Sequence, residues 1–106
     1  MKRLQYTAVT SAGTAYDIHF PLHEQTRSEP AVADMLGAVL EGISGQVEAR
    51  GDVSDGDVLQ SLAMAMAIRA RMVDAAPAAS LRLMHELLDA AFAAALSAPS
   101  YAAARA

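Results

Sequence analysis

Apolar and polar residues alternate with period two from Arg3 to Phe20, and a helical period takes over further along the chain. In the first stretch, a turn at Ser11-Ala12-Gly13 decides which residues face each other. A three-residue loop pairs Thr10 with Thr14, Ala8 with Tyr16, Tyr6 with Ile18 and Leu4 with Phe20. That register gathers Leu4, Tyr6, Ile18 and Phe20 on one face and puts Gly13 in a left-handed bulge position. A two-residue loop at Ala12-Gly13 would shift the pairing by one, set Tyr6 against His19 and split the apolar set between faces. The pattern therefore predicts a hairpin over 3–20 with one apolar face and one wet face carrying Gln5, Thr7, Val9, Asp17 and His19. Two strands alone are marginal in water, so helices must cover the apolar face, and the strand edges are open to another chain.

Ser28-Glu29-Pro30 has the makings of a helix start: a capping hydroxyl, an acid at the positive dipole end and a proline in the first turn. Val32, Met35, Leu36, Val39, Leu40, Ile43 and Val47 then form one stripe on a helix over about 30–49. Beside it runs a line of small residues, Ala31, Ala38, Gly42 and Gly45, where another backbone could approach closely. Each internal glycine costs about 1 kcal/mol of helix propensity relative to alanine, and close packing would offset that. Arg50-Gly51-Asp52 closes this helix, with Gly51 suited to a left-handed cap, and Ser54 to Asp57 spells a capping box for the next.

The second helix, about 55–74, carries Val58, Leu59, Leu62, Met66 and Val73 on one face and Met64, Ile68 and Met72 on another. A helix apolar nearly all round is covered on more than one side. A connector with Pro77 leads to a third helix over about 79–98, with a stripe of Leu81, Met84, Leu88, Ala91, Phe92, Ala95 and Leu96. Pro99 ends it, and 99–106 reads as a loose tail unless Tyr101 docks. The expected fold is α+β and mostly α: an N-terminal antiparallel hairpin followed by three antiparallel-connected helices (ββααα), in a single compact domain over 1–98. The short connections make successive helices antiparallel neighbours.

Composition changes this picture in one respect. Of the 106 residues 54% are hydrophobic, but 25 are alanine, and large apolar side chains make up only about 30% of the chain. A core so thin gains from a second subunit. Eight Lys and Arg against twelve Asp and Glu give a net charge of −4. The basic residues are scattered without aromatic interleaving, which argues against nucleic-acid binding. No stretch reaches the ~20 apolar residues of a membrane helix, and Gln5, Thr7, Thr10 and Ser11 interrupt what would be the apolar run of a secretion signal. The chain has no cysteine. That excludes disulfides and thiol chemistry and fits a cytoplasmic location.

Motifs with chemistry are sparse. His85 and Asp89 stand one turn apart, resembling a zinc-binding H-E-x-x-H spacing with aspartate in the second ligand position, with His19 or His23 as a third ligand. The plainer reading is a helix surface with Arg82–Glu86 and His85–Asp89 pairs. No nucleophile elbow, phosphate-binding glycine loop or dinucleotide fingerprint is present, and Ser80 and Ser97 lie at the wrong spacing from His85. No catalytic residue and no cofactor is assigned. Arg50-Gly51-Asp52 also spells an integrin-recognition tripeptide, which helix termination explains equally well. Arg69 falls inside the apolar stripe of the second helix, so it must pair with an acid such as Asp17, Asp34 or Asp89, or snorkel.

Two functional expectations follow. In the first, the chain is a non-enzymatic homodimeric regulatory, adaptor or structural domain, with Met64, Ile68, Met72, Ala38 and Gly42 at the interface, and a different protein as a further possible partner. In the second, it is a binding module for a small apolar or amphipathic carboxylate, held in a crevice lined by Met64, Met66 and Met72 with Arg69 as the anion anchor. A metal-assisted hydrolase at His85 and Asp89 is a distant third.

Overall fold

A computed structural model of the chain describes residues 2–103. Its elements run β1 (Arg3–Val9), β2 (Thr14–Pro21), α1 (Glu29–Arg50), α2 (Asp55–Arg71), α3 (Pro77–Ser97) and β3 (Ser100–Ala102). This is the expected α+β order of a hairpin followed by three helices, with one strand added at the end. The chain falls into two compact units, each described by itself. One unit comprises Met1–Ala33 and Met84–Ala106, and the other Asp34–Leu83.

In the first unit, β1 and β2 pair antiparallel with Leu4 opposite Phe20, Tyr6 opposite Ile18 and Ala8 opposite Tyr16. Gly13 has φ 87° at the turn, a value that side chains with a Cβ rarely adopt, and Thr10 N–H donates to Thr14 O at 2.8 Å to close the loop. Leu4 and Ile18 are buried on the inner face, and Tyr6 and Phe20 are half-buried beside them. Residues 100–102, expected in a loose tail, instead form β3 on the far side of β2, giving the strand order β1-β2-β3. Ala103 N–H donates to Gly13 O at 2.7 Å and secures the end of that strand. Residues 104–106 of the expected tail lie outside the described residues.

The face read as wet is only partly so. Ala15, exposed 2%, is the most buried apolar residue among the described residues and lies on that face, between Val9 on β1 and Tyr101 on β3. β3 supplies the cover that a two-stranded hairpin would lack.

The helices begin where the capping residues place them. Ser28 Oγ accepts from Ala31 N–H at 3.2 Å, and Ser54 and Asp57 bond reciprocally at 3.1 Å in a capping box. Gly51, with φ 74°, ends α1 and donates to Val47 O. α2 stops at Arg71, two residues before the apolar pattern ends at Val73 and three before the expected bound of about 74. Met72 N–H is shared between the Ile68 and Arg69 carbonyls and Val73 N–H turns back to Ala70 O, a tightening that ends the helix. Pro77 then opens α3 as its first residue, a position where its missing N–H costs nothing.

Candidate association surface

None of the three helices contains a buried residue. In the second unit, α1 leaves Met35, Val39, Leu40 and Val47 exposed, and α2 leaves Leu59, Met64, Met66 and Ile68 exposed, Ile68 by 57%. Leu36 and Ile43 of α1 and Val58 and Leu62 of α2 turn far enough inward to be half-buried, as does Val53 in the connection between them. A groove of about 640 Å³ opens between the two helices near their connection, lined by Val39, Ile43 and Val47 from α1 and Val53 and Val58 beyond it, with Arg50 among its polar residues. Glycines 42 and 45 face open space: a Cβ added at either would meet nothing within 4 Å. The line of small residues in α1 therefore admits no neighbouring backbone from within the described chain.

The first unit shows the same imbalance on α3. Met84, Ala91, Ala94 and Ala95 are half-buried, while Leu88, Phe92 and Leu96, spaced by four along one flank, are exposed, Phe92 by 62% and Leu96 by 71%. The inward line is mostly alanine and the outward row is large and apolar. That is the reverse of a surface helix burying its larger side chains within its own chain.

Arg69 Nη1 lies 3.6 Å from Met72 Sδ, so the guanidinium lies along its own helix end. Met64, Met66 and Met72 are exposed, and none of them lines the groove between α1 and α2. Met72 and Val73 fall beyond the last residue of α2, so they no longer continue its faces.

His85 and Asp89 are both exposed on α3, and among the described residues no three metal-ligating side chains gather. His23, considered as a third ligand, has its Nε2 3.5 Å from a Glu86 carboxylate oxygen, and its Nδ1 accepts from Gln25 N–H. Glu86, which the helical angle sets apart from His85 and Asp89, is the acid that meets a histidine.

A polar cluster that the sequence did not reveal lies on the outer face of the sheet. Thr7 and Asp17 are opposite each other in the register, and Thr7 Oγ1 donates to an Asp17 carboxylate oxygen at 2.7 Å. Tyr101, opposite Ala15, donates its hydroxyl to the same oxygen at 2.9 Å. The Thr7 hydrogen bond first, then that of Tyr101, hold the Asp17 carboxyl below the ordinary aspartate range, with His19 adding a smaller pull. The same bond raises the Tyr101 phenol above its usual value.

The linkage has opposite signs for the two groups. Stabilisation from Asp17 is present above the ordinary aspartate pKa and is lost as pH falls through the lowered native value. Stabilisation from Tyr101 is present below the ordinary phenol pKa and is lost as pH rises through the raised native value. An NMR titration is expected to show the Asp17 midpoint moving up in Thr7→Val and by less in Tyr101→Phe. Amide exchange at Ala103 should quicken in Tyr101→Phe. An unchanged Asp17 midpoint in both variants would remove this account of how β3 is held.

Comparison of the chain with protein-family models, with curated proteins and with solved structures gave no match. Among the described residues no helix is long and apolar enough to cross a membrane.

Proposed function

We propose that this chain is a non-enzymatic protein that acts as a homodimer, in a regulatory, adaptor or structural role, with its exposed helical faces covered by a second copy. The observation that carries this reading is the absence of any buried residue in α1, α2 or α3 despite their content of large apolar side chains. The open space along Gly42 and Gly45 is suited to a helix of the second copy lying close to α1.

Sedimentation equilibrium at tens of micromolar is expected to give twice the chain mass, and thermal unfolding is expected to shift upward with protein concentration. A single species of chain mass across that range, with a concentration-independent midpoint, would overturn the proposal.

A further inference from the structure

β1 is an edge strand, and its outward backbone groups can be identified. Thr10 N–H donates to Thr14 O at one end of the hairpin and Leu22 N–H to Lys2 O at the other. Antiparallel pairs alternate between bonded and non-bonded, so these two bonds turn the backbone groups of Leu4, Tyr6 and Ala8 toward β2. Those of Arg3, Gln5, Thr7 and Val9 point away from the sheet, and all four residues are exposed. The opposite edge is blunted, because β3 is three residues long and follows Pro99. β1 has no such device. It contains no proline, its register with β2 runs without a bulge from Arg3 to Val9, and its one charge, Arg3, stands at the end.

We infer that β1 is the sheet-forming edge of the homodimer: two copies pair antiparallel through β1 about a two-fold axis at Tyr6, joining two three-stranded sheets into one of six. The inference rests on the self-association proposed above and adds the β1 edge to the helical faces as a surface that the second copy covers. In this register Arg3 lies opposite the partner's Val9, Gln5 opposite the partner's Thr7 and Leu4 opposite the partner's Ala8. All the outward N–H and C=O groups of β1 are then bonded. The inner apolar face stays continuous, because a register offset by one residue would turn it over. The two Arg3 side chains sit at opposite ends of the new ladder, so no like charges face each other. An axis at Gln5 or Thr7 would instead set one strand end against residue 1 or Ser11, outside β1.

The chain has no cysteine, so one introduced thiol reports on this axis alone. Tyr6 would face its own copy in a non-bonded pair with Cα atoms about 4.5 Å apart, inside the range that a disulfide spans. Mild oxidation is expected to convert Tyr6→Cys almost wholly to a covalent dimer. Ala8→Cys should stay uncrosslinked, its two thiols being displaced by about four residues, or about 14 Å, along the strands.

Amide exchange in the unaltered chain reads the same edge without substitution. Gln5 and Thr7 N–H groups are expected to exchange as slowly as those of Leu4 and Tyr6. If sedimentation shows a dimer while Gln5 and Thr7 exchange as free amides and Tyr6→Cys does not crosslink, the edge pairing is overturned and self-association through other surfaces stands. If the unaltered chain sediments as a monomer, both fall together.

Discussion

Ile68→Asp is expected to dissociate the protein into single chains and to lower its thermal midpoint. Ile68 lies on α2 and is 57% exposed in the isolated chain, so nothing within the described protomer explains an apolar residue there. Burying an isoleucine contributes about 1.5–3 kcal/mol relative to leaving it in water, and a two-fold dimer buries it twice. The loss is then about 3–6 kcal/mol per dimer before the cost of confronting a carboxylate with an apolar surface. That corresponds to a roughly hundred- to ten-thousandfold weaker dissociation constant.

Ile68→Ala settles the matter by sign. In an isolated chain the exposed β-branched side chain gives way to a better helix former, and α2 gains a few tenths of a kcal/mol. In a dimer the same change removes buried area and weakens association by at least tenfold. Equilibrium sedimentation with far-ultraviolet circular dichroism measures both quantities, and an Ile68→Ala chain that is more stable and unchanged in mass would refute a buried role for this face.

The features legible in the sequence were those in which side-chain parity or a capping atom decides the backbone. The parity of Leu4, Tyr6, Ile18 and Phe20 admits one hairpin register, and that register is observed. Ser28, and Ser54 with Asp57, mark helix starts because their oxygens satisfy N–H groups that the helix leaves free. Where the pattern outran the backbone, the prediction drifted. Met72 and Val73 continue an apolar period, but period describes side chains, and the backbone has already turned toward Pro77. The pattern places Pro77 in a connector, although a proline is equally at home as the first residue of a helix. β3 escaped because three residues carry no measurable alternation, and its evidence lies 84 positions away, in the Asp17 oxygen that receives Tyr101. An arginine inside an apolar stripe must pair or snorkel, and Arg69 lies against Met72 of its own helix end. For the candidate surface, residue types revealed how much apolar area α2 carries, but not that α1 and α3 leave theirs uncovered too. That depends on which neighbours the inward residues touch, and alanines such as Ala91 and Ala95 fill little space.

Ile18→Ala is expected to unfold the sheet unit under conditions in which the unaltered protein is fully folded. Leu4 and Ile18, exposed 6% and 8%, are the large side chains buried in this unit, and they occupy adjacent strands of one face. Truncating a buried isoleucine to alanine typically costs about 2–5 kcal/mol, from lost transfer free energy and from the cavity left behind. A domain has only about 5–15 kcal/mol to lose, and with so few buried large residues no neighbouring core can take over. The three tyrosines, Tyr6, Tyr16 and Tyr101, sit one on each strand, and the chain has no tryptophan, so intrinsic fluorescence during urea unfolding reports on the sheet alone. The Ile18→Ala transition should move to markedly lower urea, while His19→Ala, an exposed neighbour on the opposite face, should shift it by less than about 0.5 kcal/mol. Equal, small shifts in the two variants would mean that the inner face of the sheet is not the core that the burial of Leu4 and Ile18 implies.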